Sequence, residues 1–183
     1  KHNYAAGGVV PVSDGAALFD GTDDYISIAD DSTLDITNNL TVSCWAKNDN
    51  SGIGAGEEEV LASKYKSAGG VDERSWLFTI DEAEKLKLAV SSDGTSSNVQ
   101  TNTSSSAVSN INTWNHYAFT FVGGTVVFYV NGAVFAQASP SGSETAISSD
   151  DADMSIGSIS EGGGFYWEGH ICNVGVWTAA LTQ

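Results

Sequence analysis

Three carboxylates crowd into five residues at Asp20, Asp23 and Asp24, with Gly21 among them. Such density is repulsive unless a cation or hydrogen-bond donors offset it. Two kinds of chemistry suit the pattern. In one, Asp20 with Asp23 or Asp24 and backbone carbonyls surrounds a calcium ion. In the other, an Asp-Gly turn uses its carboxylates to cap backbone amides. A second group sets the single arginine of the chain beside an indole, in the run Asp72, Glu73, Arg74, Ser75, Trp76. Sugar recognition needs an aromatic platform with polar groups nearby, so Asp72, Arg74 and Trp76 form a candidate ligand-binding set. An internal cation–π stack is the competing reading for Arg74, and core packing for Trp76. The acidic clusters Asp30-Asp31 and Asp150-Asp151-Ala152-Asp153 read as solvated loops.

Catalytic constellations are missing from the pattern. Glycoside hydrolysis requires two carboxylates flanking the scissile bond. The nearest approach is Thr79-Ile80-Asp81-Glu82-Ala83-Glu84, whose Glu82 and Glu84 fall on an expected hairpin tip. No serine occupies a G-x-S-x-G elbow. His2, His116 and His170 lack metal-ligand spacing and read as decoration of strands or of the terminus. Cys44 and Cys172 lack CxxC spacing. They read as two small buried hydrophobes, with one disulfide between an early and the last strand as the alternative. The expectation is a protein that is not an enzyme.

The elements that position these residues are strands. The 183 residues include 20 glycines and only 2 prolines, and short apolar runs alternate with turn residues. Strands are expected at 16–19, 25–28, 40–47, 60–64, 76–80, 85–91, 114–122, 125–130, 133–138, 154–156 and 170–177. Gly123-Gly124 and Asn131-Gly132 supply the positive φ of tight hairpins, so 114–138 reads as three consecutive antiparallel strands. Segments 49–59 and 91–112 read as loops. The whole, residues 1–183, is expected to be a single all-β domain, an antiparallel two-sheet β-sandwich.

Charge narrows the partners. With 23 acidic against 7 basic side chains the formal charge is -16, so a phosphate backbone or an anionic membrane surface is disfavoured. No apolar run is long enough for membrane insertion, and the beginning of the sequence lacks the basic and apolar regions of a secretory signal. Neutral glycans, cations and basic proteins remain as partners.

Three stretches together resemble the laminin G-like, concanavalin A-like jelly-roll superfamily of lectins and glucanases. They are Ala17 to Ile26 with Leu40 to Lys47, then Thr113 to Thr120 with Val127 to Gly132, and last Ile156-Gly157 with Gly169 through Leu181. The resemblance implies a lectin-like sandwich that serves as an accessory module of secreted or cell-surface proteins. It also implies binding to a glycan, polysaccharide or protein, and often a structural calcium. The segment Gly169 to Trp177 is further similar to modules of marine phage structural proteins, which adds a virion-associated decoration role as an alternative. In the family an acidic residue usually follows the position of Ile171. Here Cys172 and Asn173 follow, so Asn173 joins Asp20, Asp23 and Asp24 as a candidate metal ligand, and the thiol leaves the usual site incomplete. Trp45, Trp114 and Trp177 match core positions of the resemblance and are expected to pack. Trp76 and Trp167, with Phe165 and Tyr166, are the freer aromatics.

Overall fold

The alternation of apolar and polar residues is satisfied by folding the chain into strands whose apolar faces meet. In the computed structural model, which describes residues 15–50, 53–67, 72–135 and 142–182, the strands are β1 (Ala17–Asp20), β2 (Ile26–Ile28), β3 (Leu40–Asn48), β4 (Glu58–Lys66), β5 (Glu73–Asp81), β6 (Leu86–Ser91), β7 (Val99–Thr103), β8 (Asn115–Val122), β9 (Thr125–Val130), β10 (Ala133–Phe135), β11 (Met154–Ile156) and β12 (Glu168–Trp177). They form two six-stranded sheets, ordered β1-β12-β3-β8-β9-β10 and β2-β11-β4-β5-β6-β7. Every pairing is antiparallel. Among the described residues no helix is long and apolar enough to cross a membrane.

The first sheet turns Leu40, Val42, Cys44 and Ala46 of β3 inward with Tyr117, Phe119 and Phe121 of β8. The second sheet answers with Trp76, Phe78 and Ile80 of β5 and Leu86, Leu88 and Val90 of β6. Phe78 joins the sheets, its ring edge-on to Phe119 at 5.0 Å and stacked with Phe128 at 6.4 Å. Both hairpins bear out the turn chemistry. Gly123 and Gly124 have φ of 51° and 89°, and Asn131 and Gly132 have 52° and 77°, the positive pair that a type I′ connection requires.

The structure adds a strand that the sequence conceals. Strand β7 lies inside the expected loop 91–112, and its inward side chains are Gln100 and Asn102 rather than apolar residues. The Gln100 amide donates to the Gly124 carbonyl at 2.9 Å, so this edge strand closes on a polar seam with no hydrophobic period to announce it. Strand β10 ends at Phe135, and positions 136–138 of the expected strand lie outside the described residues. Cys44 and Cys172 are free thiols. Cys44 faces the core, whereas Cys172 stands opposite its neighbour Trp45, on the other face of the sheet. Burial pushes both thiols up.

The acidic clusters keep Asp31 and Asp151 exposed, as expected of solvated loops, but Asp30 and Asp150 are tied to a buried lysine. Lys64 of β4 is 1 % exposed and uses all three ammonium protons. They go to the Asp30 carboxylate at 2.6 Å, the Asp150 carbonyl at 2.6 Å and the Ala152 carbonyl at 2.8 Å. Asp35 stands 3.5 Å away, and Asp153 holds the Ser27 hydroxyl and the Asp30 amide. Replacing Lys64 by Ala strands these carboxylates without their counter-ion. The expected loss is about 3–5 kcal/mol of unfolding free energy, read from urea denaturation.

A second buried ion sits at the opposite end of β4. Glu59 accepts from the Asn48 amide at 2.6 Å and from the Glu168 backbone N–H at 3.0 Å, joining β3, β4 and β12. Burial pushes its carboxyl above the usual glutamate range, against the lowering effect of those donors. A raised folded-state value favours the protonated form, so this stabilisation is complete below the unfolded-state pKa of about 4.3 and is lost as pH rises through the higher folded value. Glu59→Gln, which keeps an acceptor oxygen, should flatten that part of the stability profile. Thermal melts across the acid-to-neutral range check it.

Candidate functional site

The acidic turn follows β1. Asp20 pairs in register with Glu168 of β12, and the Gly21 amide donates to the Trp167 carbonyl at 3.1 Å, which fixes the turn on the sandwich rim. Asp20 Oδ1 accepts from the Thr22 and Asp23 amides at 2.8 and 3.3 Å, and Asp24 Oδ2 accepts from the Asp20 amide at 3.2 Å. Those bonds, the Thr22 amide first, hold the Asp20 carboxyl below the usual range. Asp20, Asp23 and Asp24 are exposed, and each offers a carboxylate oxygen within 4.8 Å of the others. The donor set is all hard oxygen, and together with backbone carbonyls and water it fits calcium.

Asn173 does not belong to that set. It lies five residues along β12 from Glu168, the partner of Asp20, which is on the order of 15 Å of strand. Its role there is conformational. Two residues, Asn173 and Val174, oppose the single Cys44 between the register pairs Cys172–Trp45 and Gly175–Ser43, and Asn173 has φ of 53°. This bulge shifts the alternation by one. Ile171 faces the core, and beyond the bulge Val174 and Val176 pack against it, leaving Trp177 outside and 40 % exposed. The expectation that Trp177 packs in the core is overturned by that extra residue.

The Asp72, Arg74 and Trp76 set also separates. Trp76 alternates inward with Phe78 and is 2 % exposed, tilted against Phe119 at 6.4 Å, so it offers no ring to a ligand. Trp167 is fully buried as well. Arg74 and Asp72 do meet as an ion pair, and the Arg74 guanidinium lies 5.8 Å over the ring of Tyr65 rather than over Trp76. Burial raises the Tyr65 phenol, partly opposed by the arginine charge.

Tyr65 is one wall of a cleft that no sequence motif marks. The outer face of the second sheet carries apolar, hydroxyl and lysine side chains in register, Leu77, Ala89 and Thr101 in one row and Thr79, Lys87 and Thr103 in the next. Over this floor stand Tyr65 and Phe165, enclosing about 220 Å³, and an adjoining recess of about 350 Å³ shares Glu58, Lys87 and Thr101. Carboxylates of Glu57, Glu58, Asp81 and Glu82 edge the recess. Three of the four are committed to the protein. Glu58 takes the Lys87 ammonium and the Thr79 hydroxyl, Asp81 caps the amides of Ala83 and Lys85 at 2.9 Å each, and Glu82 accepts from the Gly56 amide. The signal that could have found the wall is the polar-aromatic alternation of β4 ending in Lys64-Tyr65-Lys66. A β-bulge between Lys64 and Tyr65 obscures its face.

The architecture is shared with proteins of known structure. The Ruminococcus gnavus IT-sialidase CBM40 bound to α2,3 sialyllactose superposes with a TM-score of 0.64 at 14% identity, covering 91% of this chain and 92% of that one. A putative carbohydrate binding protein from Bacteroides ovatus ATCC 8483 gives 0.65 at 18% identity, over 91% of this chain and 44% of that one. Domains LG4-5 of the mouse laminin alpha1 chain give 0.62 at 13% identity, over 92% and 44%. No curated protein matches the chain in sequence. The family model of the concanavalin A-like lectin/glucanases superfamily, in its laminin G form, matches residues 20–183, and with two antiparallel six-stranded sheets behind that match the chain belongs to this superfamily.

Proposed function

We propose that the chain is a non-catalytic carbohydrate-recognition module of a secreted, cell-surface or virion-associated protein, and that its glycan lies in the cleft between Tyr65 and Phe165. The observation that carries this reading is the cleft itself, two aromatic walls over a floor of apolar, hydroxyl and lysine side chains. A pyranose ring laid on such walls buries its C–H face and leaves its hydroxyls to Thr79, Thr101 and Lys87. The likeness to carbohydrate-binding modules of the same fold supports it. The commitment of Glu58, Asp81 and Glu82 to turns and ion pairs supports binding rather than hydrolysis, because a general acid or nucleophile must be free to meet substrate.

The charge of the cleft selects among sugars. Four carboxylates face one ammonium along the recess, so a neutral glycan is favoured over one bearing its own carboxylate. A glycan array should show neutral oligosaccharides bound above their sialylated counterparts, with Tyr65→Ala losing about tenfold or more in affinity. Absence of binding to every glycan by a folded protein would transfer the role to protein contacts in a larger assembly.

Calcium belongs to this reading as a structural ion at Asp20, Asp23 and Asp24, where it would neutralise the crowded carboxylates and stiffen the rim. At about a hundredfold saturation it should raise the melting temperature by about 5–10 °C over the EDTA-treated protein. Asp20→Ala should abolish that difference. Equal melting in calcium and in EDTA would remove the ion from the account.

A further inference from the structure

The outer face of the first sheet holds a second cavity of different character. The register that crosses β12, β3, β8, β9 and β10 aligns Gly175, Ser43, Ala118, Tyr129 and Val134, so three very small residues lie side by side and form a trough. The neighbouring row, Trp177, Thr41 and Thr120, borders it. Gly175 is required here by close approach, because the six-membered ring of the Trp177 indole occupies the space that a Cβ would need. The enclosed volume is about 300 Å³, with Trp177, Tyr129 and His116 as walls.

The far end is closed by the chain itself. The Thr41 hydroxyl donates to the Ala179 carbonyl at 2.6 Å and accepts from the Leu181 amide at 3.0 Å, which folds the segment after β12 across the sheet and sets Leu181 and Thr182 against the cavity. His116 is held by its edge-on contact with Trp45 at 5.5 Å, and burial favours its neutral form.

The lining is chemically selective. Among the described residues it contains no carboxylate, lysine or arginine, although the protein carries a net charge of -16. A charged ligand entering it would lose hydration without a partner. The apolar walls with Ser43 and Thr120 hydroxyls at the floor suit a molecule that is apolar on one face and hydroxylated on the other. The volume matches one sugar ring with its immediate substituents.

We infer that this cavity is a second ligand site, binding a single neutral pyranose unit stacked on Trp177, on the face of the sandwich opposite the Tyr65 cleft. The inference stands apart from the cleft reading, since the two sites share no residue. A terminal neutral sugar would enter with its ring against the indole and its hydroxyls over Ser43 and Thr120, and a sialic acid or uronic acid would be rejected.

The test follows the five indole N–H resonances by NMR while methyl glycosides of neutral hexoses and 6-deoxyhexoses are titrated, with methyl glucuronide as the charged control. Trp177→Phe assigns the reporting resonance. In the wild type the Trp177 signal should move with a dissociation constant of about 1 mM, and in Tyr65→Ala it should move equally, which separates this site from the cleft. Ser43→Leu fills the floor and should weaken the response at least about tenfold while the other four indole signals keep their positions, showing an intact fold. Failure of every neutral glycoside to move the Trp177 resonance overturns the inference, as does a response unchanged in Ser43→Leu. An oligomer seen by sedimentation, with Trp177 shifted by protein concentration instead of sugar, overturns it too and identifies the face as a contact between copies.

Discussion

One buried ammonium ties together parts of the chain that have little else in common. Lys64 sits on the inner side of the second sheet with Trp76 and Met154 as register partners, and its protons reach the loop after β2 and the loop before β11 at once. Strands β2 and β11 are only three residues each, too short to hold an edge by ladder hydrogen bonds alone. The ammonium supplies the attachment, and Asp153 completes it by fastening Ser27 and Asp30. A charge in that position is stable only while every proton has an acceptor, so the loop geometry is dictated as much as it is stabilised. The second sheet can therefore present an ordered outer face, with β4 and β5 as its rigid centre.

That ordered face and its counterpart on the first sheet have been given different chemistry. The face of the first sheet is floored with Gly175, Ser43 and Ala118, which is how a pleated surface makes room for a ligand without bending the backbone, whereas that of the second is floored with Leu77, Ala89, Thr79, Thr101 and Lys87. The cleft on the second sheet is edged with acid and one lysine, whereas the cavity on the first is closed by indole, phenol and imidazole. Carboxylates therefore edge the cleft and are absent from the described lining of the cavity. Between them the sandwich core is largely aromatic and aliphatic packing, crossed by the Glu59 bonds to Asn48 and the Glu168 amide.

Much of the fold was written in local signals. Alternating Leu40, Val42, Cys44 and Ala46, and the Gly-Gly and Asn-Gly hairpins, define β3, β8, β9 and the start of β10 unambiguously, because burial and turn chemistry agree there. Strand β7 was invisible because Gln100 and Asn102 satisfy their inner face by hydrogen bonds, and a period-two reading counts only apolar residues. The acid turn was correctly grouped from Asp20, Asp23 and Asp24, since three carboxylates that close in sequence have nowhere else to go. The assignments of Trp177 and Tyr65 failed for one reason. Whether a tryptophan on a strand faces in or out depends on every bulge before it, and bulges leave no composition signal. Trp76, a candidate platform with core packing as its competing reading, is core; Trp177, expected to pack, is 40 % exposed, and Tyr65 was passed over because its bulge hides its side of β4.

The bulge at Asn173 carries a consequence for how such a surface arises. Val174, Val176 and Trp177 owe their sides of the sheet to one inserted residue. Were Asn173 to pair regularly instead of bulging, Val174 and Val176 would turn outward and Trp177 inward with every side chain unaltered. What this strand displays is therefore set by where its extra residue is taken up and not by composition.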